Sequence, residues 1–154
     1  MPVIVVGADT EVGRAAVDAL LPDAAEVRAF VTDPNAIDPL KALGVKVAVG
    51  DVSDGSHVGG AALNAFCAVL VQEAATDERE RSFANTVKEV IAAWAEGLRD
   101  SDVHRTIWVG DVAVGQAGEV LAAATPEFAS VPTADRSPDE IAADIARLES
   151  SSTV

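Results

Sequence analysis

The sequence contains no tyrosine, a single cysteine (Cys67) and only two histidines among its 154 residues. One cysteine excludes an internal disulfide, which is the usual situation of proteins in a reducing compartment. Two separate histidines and one cysteine offer no spacing at which such ligands hold a metal, so we expect no metal site. Neither a Ser-His-Asp set nor a Walker-type phosphate loop is present.

Basic residues are also scarce. Eleven Lys and Arg stand against 25 Asp and Glu, which gives a net charge of −14. A field of this sign repels phosphate backbones and anionic lipids, so neither nucleic acid nor a membrane is an expected partner. No apolar run approaches the roughly 20 residues that span a bilayer, and no basic leader precedes the first apolar run. The sequence therefore predicts a cytoplasmic protein.

Apolar residues, in contrast, make up 49 % of the chain. This share is typical of a globular protein, and the length suits one domain with a sizeable core. We expect a single dinucleotide-binding-type domain over residues 1–150, followed by a frayed tail at residues 151–154.

Short apolar runs alternate with helical patterns along the chain. The predicted strands are Val3–Val6, Glu26–Val31, Val45–Val49, Phe66–Val71, Thr106–Val109 and an edge strand at Phe128–Val131. Runs of this kind are typical of strands buried on both faces of a parallel sheet, joined by right-handed crossovers. The sequence thus predicts an α/β fold, a doubly wound Rossmann-type domain with a mainly parallel sheet of five or six strands.

The longest helix is predicted over Glu78–Leu98. Asp77 and Glu80 have the spacing of a capping box, and Phe83 begins a stripe of apolar residues three or four positions apart. A second clear helix start is Ser137, followed by proline at the first helical position and Glu140 at the third.

The turn after the first strand keeps two glycines of a dinucleotide-binding loop, Gly7 and Gly13. Thr10 stands where a middle glycine would let the backbone approach a pyrophosphate. The two glycines have a second explanation, because a tight turn and close helix–strand packing require small residues without any ligand. Asp9 and Glu11 place two carboxylates at a helix N-terminus, the position that a pyrophosphate would use. This pattern favours a self-capped turn.

Four segments resemble the atypical short-chain dehydrogenase/reductase family, in its NmrA-like and NAD(P)H quinone- or flavin-reductase-like branch. Val5–Arg14 is similar to the family's V-x-G-A-T-G-x-x-G-R turn, and Val27–Pro34 to its V-R-A-L-V-R-D-P second strand. Leu43–Val52 resembles L-G-V-x-V-V-x-G-D-L, and His104–Gly110 resembles the fifth strand. The likeness covers the first 111 residues well and the remainder poorly.

The resemblance implies that NAD or NADP lies over the strand ends. The residues that would hold it are Gly7, Asp9, Thr10, Glu11 and Val12 for the phosphates, Thr32 and Asp33 for the ribose, Asp51 and Val52 for the adenine, and Val71 and Gln72 near the nicotinamide. In the family an arginine that clamps the 2′-phosphate of NADP stands where this chain has Thr32, which favours NAD.

The larger family moves a proton through a Tyr-x-x-x-Lys pair. Tyrosine is absent here and the last lysine is Lys88, so we predict no catalytic residue. We interpret the chain as a non-catalytic sensor or scaffold that forms a homodimer. One alternative is a reductase that passes hydride directly between cofactor and acceptor, with Gln72 and Asp111 lining the nicotinamide pocket. The other is an interaction protein that binds no dinucleotide.

Overall fold

The computed structural model describes residues 1–154 and contains six strands: β1 (Pro2–Val6), β2 (Glu26–Val31), β3 (Lys46–Val49), β4 (Cys67–Val71), β5 (Arg105–Val109) and β6 (Glu127–Val131). They form one sheet in the order β3-β2-β1-β4-β5-β6. Every neighbouring pair is parallel. This order is that of the doubly wound dinucleotide-binding fold, so the predicted fold class is confirmed.

Six helices connect the strands, and a seventh follows β6: α1 (Glu11–Leu20), α2 (Ile37–Ala42), α3 (Gly55–Ala61), α4 (Gln72–Thr76), α5 (Val87–Asp100), α6 (Ala117–Ala122) and α7 (Pro138–Ser150). The start of α7 is as predicted, since the Ser137 side chain accepts a hydrogen bond from the backbone N–H of Glu140. None of the helices combines the length and the apolar character that a membrane crossing requires.

Separate apolar cores cover the two faces of the sheet. Helices α3, α5 and α6 pack on one face, where Trp94 and Trp108 are fully buried. Helices α1, α2 and α7 pack on the other, with Val17 and Ile141 among the buried side chains. Every residue of the central strand β4 is buried, which explains why its sequence is apolar without alternation.

The prediction of one long helix over Glu78–Leu98 is wrong. Helix α5 begins at Val87, and its N-cap is Thr86, whose side chain accepts from the backbone N–H of Glu89. Phe83, assigned to the apolar stripe, leaves 67 % of its surface exposed. Residues 77–83 instead run across the ends of the strands, where polar partners on other elements take their hydrogen bonds. We call residues 77–83 the crossing segment.

Arg105, the first residue of β5, attaches the C-terminal residues to the amino end of this strand. Its side chain is fully buried and donates to the Glu127 carboxylate at 2.8 and 3.0 Å. Its remaining N–H groups donate to four backbone carbonyls near the end of the chain, those of Leu148, Glu149, Ser151 and Ser152. The tail, for which the sequence predicts fraying, is thereby attached to β5.

Candidate functional site

The candidate site lies at the carboxyl ends of the parallel strands. The chain moves outward from β1 in one direction to β2 and β3 and in the other to β4, β5 and β6. Loops on the two sides of this reversal separate, and ligands of doubly wound folds bind in the crevice between them. Val71 ends β4, and the other predicted site residues follow β1, β2, β3, β4 or, for Asp111, β5, so they all lie along this edge of the sheet.

The turn after β1 is held together by internal packing. Thr10 is the N-cap of α1, because its hydroxyl accepts from the Gly13 N–H at 3.0 Å and donates to the Gly7 carbonyl at 2.7 Å. A Cβ atom added to Gly13 would lie 1.9 Å from the Gly7 carbonyl oxygen. Gly7 itself has a φ of +94°. These two glycines are thus required by the backbone whether or not a ligand binds.

Asp9 does not cap α1, so this part of the self-capping prediction is wrong. Its carboxylate points towards β2 and accepts from the backbone N–H groups of Thr32 and Asp33 at 2.8 and 3.1 Å. Thr10 already occupies the capping position, which leaves the Asp9 side chain free to reach the next strand. Glu11 is the first residue of α1 and is exposed.

Arg79, on the crossing segment, forms an ion pair with Asp9. Its Nη1 lies 3.0 Å from Asp9 Oδ1 and 3.2 Å from the Thr32 hydroxyl. Both side chains of the pair are more than nine-tenths buried. The other side of the guanidinium contacts the two Asp77 carboxylate oxygens, each at 2.8 Å. Burial alone would raise the pKa of Asp77, but the hydrogen bonds and charges of Arg79, with the charge of Arg81, lower it below its ordinary value.

Asp51, which follows β3, also binds the crossing segment. One carboxylate oxygen accepts from the Ser82 N–H at 2.7 Å, and the other accepts from the N–H and hydroxyl of Ser53. The Ser53 hydroxyl in turn accepts from the Phe83 N–H at 3.0 Å. Burial would raise the pKa of Asp51, yet the hydrogen bonds from Ser53 and Ser82 outweigh it and leave the pKa lowered. The predicted adenine-side carboxylate is therefore engaged within the chain.

We expect acid to weaken the attachment of the crossing segment. Because the folded pKa of Asp51 is lowered, its contribution to stability is complete above the ordinary carboxyl value and is lost as the pH falls through the lowered one. Asp51→Asn should therefore lose less melting temperature than wild type between about pH 5 and about pH 3. Thermal unfolding followed by circular dichroism measures this slope. Asp38→Asn, at an exposed residue of α2, should keep the wild-type slope. Equal slopes for Asp51→Asn and wild type would contradict the assignment.

Arg79, Ser53 and Ser82 were not predicted as site residues. The sequence offered one indication of Arg79: two of only eleven basic residues stand together in the acidic run that follows β4. That run is equally typical of a solvated helix start, so the contact with Asp9, 70 positions away, was not predictable.

The ends of β4, β5 and β6 enclose an open cleft of about 390 Å³. The residues that line it are Gln72, Gly110, Asp111, Val112, Ser130, Pro132, Thr133 and Ala134. Gln72 Oε1 accepts from the Asp111 N–H at 2.7 Å, which sets the orientation of the amide and leaves its Nε2 N–H groups to donate to a ligand. A Cβ atom on Gly110 would lie 2.5 Å from the Gln72 Cβ, and Gly110 has a φ of +156°, so this position requires glycine. Gln72 and Asp111 are thus brought together as the reductase alternative predicts.

A larger groove, of about 470 Å³, lies between α3 and α5. Much of its lining is glycine, alanine and serine, and the carboxylates of Asp54, Glu96 and Asp100 also border it. It lies mainly on the flank of the sheet, away from the reversal of strand order where this fold binds nucleotides. The strand ends therefore remain the candidate site.

Two predicted positions lie beneath the crevice. Val52 is fully buried, and its carbonyl accepts a hydrogen bond from Trp94 Nε1 at 2.7 Å. Val71 is the last residue of β4 and is buried as well. Their side chains support the floor of the crevice.

A family model described as NAD(P)H-binding matches residues 7–146 of the chain. The chain belongs to this NAD(P)H-binding family. The match agrees with the resemblance to atypical short-chain dehydrogenases and reductases, and it covers both the turn after β1 and the cleft beside β6. None of the curated proteins matches the chain significantly in sequence.

Solved reductases share the fold of this member of the NAD(P)H-binding family. The Citrobacter sp. triphenylmethane reductase, solved with NADP(H), has a TM-score of 0.81 and 12 % identity over 98 % of this chain and 66 % of that one. An Escherichia coli NADPH-dependent quinone oxidoreductase, solved with NADPH, has a TM-score of 0.80 and 13 % identity, and the match covers 97 % of this chain and 65 % of that one. The anaerobillin reductase ChuY of Escherichia coli O157:H7 has a TM-score of 0.72 and 17 % identity, and the match covers 99 % of this chain and 92 % of that one. The chain spans about two thirds of the length of the first two proteins.

Proposed function

We propose that the protein is a reductase that binds a nicotinamide dinucleotide and passes hydride directly to a small conjugated acceptor, such as a quinone or a flavin. The observation that carries the proposal is the open cleft at the ends of β4, β5 and β6, on the nicotinamide side of the strand reversal. The names of the structural neighbours support the same reaction type, because they are NADPH-dependent or NADP(H)-binding reductases.

The residues of the cleft fit a nicotinamide ring. Gln72 offers N–H donors that suit a carboxamide oxygen, and Ser130 and Thr133 add hydroxyl groups. The bound dinucleotide supplies the hydride. Asp111 is the one titratable residue among the cleft residues, and it is exposed, so we infer that the acceptor takes its proton from water.

The adenosine side fits a ribose without a 2′-phosphate. The Asp33 carboxylate is exposed, and its Oδ1 accepts from the Asn35 N–H, which leaves Oδ2 to accept from ribose hydroxyls. Thr32 and Asp33 stand at the end of β2, where this fold places the adenosine ribose. The protein's role is thus to hold the two ends of the cofactor while the cleft aligns the acceptor.

The test is acceptor-dependent oxidation of NADH and NADPH, followed by absorbance, with a quinone, a free flavin and a triphenylmethane dye as acceptors. Ser130→Trp, which fills the cleft, should lower turnover about tenfold or more, because hydride transfer depends on close alignment. Ser56→Trp is the matched control, since it places the same side chain at an exposed serine in the groove beside α3. Equal losses in the two variants, or no turnover with any acceptor, would contradict the reductase proposal.

A second candidate is a dinucleotide sensor without catalysis. It is favoured by the crossing segment, whose contacts engage Asp9 and Asp51 on the adenosine side. Calorimetric binding of NADH or NADPH, without turnover by any acceptor, would favour this candidate. The absence of both binding and turnover would leave the interaction-protein alternative.

A further inference from the structure

The donors around Asp9 are those of a phosphate site. Two backbone N–H groups, from Thr32 and Asp33, and the Arg79 guanidinium converge on one carboxylate at 2.8 to 3.2 Å. The Thr32 hydroxyl lies 3.2 Å from the same guanidinium nitrogen. Backbone amides with arginine are a common donor set for phosphate oxygens. Here the anion that fills the set is Asp9, whose side chain is only 5 % exposed.

The position of this donor set bears on whether the protein binds NAD or NADP. It lies at the end of β2, beside Asp33, where a dinucleotide of this fold carries its adenosine ribose. The 2′-phosphate that distinguishes NADP from NAD extends from that ribose. We propose that Asp9 occupies the place of this phosphate and makes the protein select NAD(H) over NADP(H). The inference rests on the proposed function, since it concerns the cofactor of the same site.

The charges support exclusion of the phosphate. Arg79 pairs with Asp9 on one side and with Asp77 on the other, and Asp77 also pairs with Arg81 at 2.7 Å. The two arginines and the two carboxylates therefore balance, which leaves no net positive charge for a further anion. A 2′-phosphate would meet the carboxylates of Asp9 and Asp33 and would have to displace a buried ion pair. A neutral 2′-hydroxyl requires neither change. Arg79 therefore serves to hold Asp9 in the anion site.

The test compares Asp9→Ala with Glu78→Ala. Each variant removes one carboxylate close to Arg79, but Asp9 fills the anion site whereas Glu78 is exposed. Calorimetry should show that wild type binds NADH about tenfold or more tightly than NADPH, and that Asp9→Ala reduces this ratio about tenfold or reverses it. Glu78→Ala should keep the wild-type ratio. Equal wild-type affinities for the two cofactors, or equal changes in the two variants, would overturn the inference while leaving the reductase proposal intact.

A fragment experiment judges the inference even if no intact cofactor binds. Titration with 2′-AMP and with 5′-AMP should show a gain for Asp9→Ala with 2′-AMP only. Inorganic phosphate should raise the melting temperature of Asp9→Ala more than that of wild type, because it refills the vacated donor set. If Asp9→Ala does not fold, Asp9→Asn, which keeps the shape and removes the charge, serves in its place. No gain in 2′-AMP binding by the folded variant would overturn the inference.

Discussion

Arg105→Met is expected to lower the free energy of unfolding by about 3 to 5 kcal/mol, the range measured when one partner of a buried ion pair is removed. Arg105 is fully buried between the Glu127 carboxylate and the carbonyls at the end of α7, and its guanidinium lies 4.9 Å from the centre of the Phe66 ring. Methionine retains much of the volume but donates no hydrogen bond. Four carbonyls would lose the Arg105 donor, and the Glu127 carboxylate would keep only the His104 ring nitrogen at 3.2 Å and the Val154 N–H at 3.3 Å.

Urea denaturation followed by circular dichroism measures this loss. Arg147→Met is the matched control, because Arg147 lies on α7 with 64 % of its side chain exposed and pairs with Asp144 at 3.5 Å. An exposed pair of this kind contributes about 0 to 1 kcal/mol. The double variant Arg105→Met with Glu127→Leu should recover part of the stability, since it removes both charges. If Arg105→Met and Arg147→Met lower the free energy of unfolding equally, the buried pair stabilises the protein no more than an exposed one.

Gly13→Ala is expected to destabilise the protein by about 3 kcal/mol or more, although alanine is the better helix former. The added Cβ would lie 1.9 Å from the Gly7 carbonyl oxygen and 2.9 Å from the Ala8 Cα. Both obstacles belong to the backbone of the turn, which cannot rotate away as a side chain can. Helix α1 would have to move from β1, and the Thr10 cap would be lost with it.

Gly60→Ala, at a second glycine within a helix, is expected to stabilise the protein instead. No atom lies within 4 Å of the position its Cβ would take, so α3 should gain up to about 1 kcal/mol from the better propensity. Thermal unfolding of the two variants, followed by the backbone signal, should move the melting temperature in opposite directions. A stabilised Gly13→Ala would show that the turn adjusts without cost.

The fold was predictable because the strands are short apolar runs, and β1, β3 and β5 are each followed directly by glycine. A run such as Val3–Val6 is too apolar for a surface position, and the glycine after it marks the end of the strand. The lateral order of the strands was not predicted, because no residue pair in the sequence marks which strands are neighbours. The crossing segment was misassigned because Asp77 and Glu80 satisfy a local helix rule, whereas Asp9, Asp51 and Ser53 supply stronger partners from distant parts of the chain.

The location of the candidate site was predictable from the sequence, but only some of the residues that line it were. The turn at Gly7 and the strand ends at Thr32 and Asp51 follow from the strand–turn–helix order. The side that β6 contributes, including Ser130 and Thr133, was not predicted because the motifs fade after residue 111. The direction of the Asp9 side chain depends on Thr10 taking the helix cap, a choice that two adjacent cap-forming residues leave undecided in sequence.

Both indoles of the protein report on one side of the sheet. Trp94 and Trp108 lie with ring centres 6.4 Å apart in the core beneath α3, α5 and α6, and no phenol ring exists elsewhere to add a second chromophore. Tryptophan fluorescence will therefore change when the core under α3, α5 and α6 unfolds. It will change little when α1 separates from α7 on the opposite face. The two tryptophans thus report on the unfolding of one core, and an introduced fluorescent label is needed to observe the core under α1, α2 and α7.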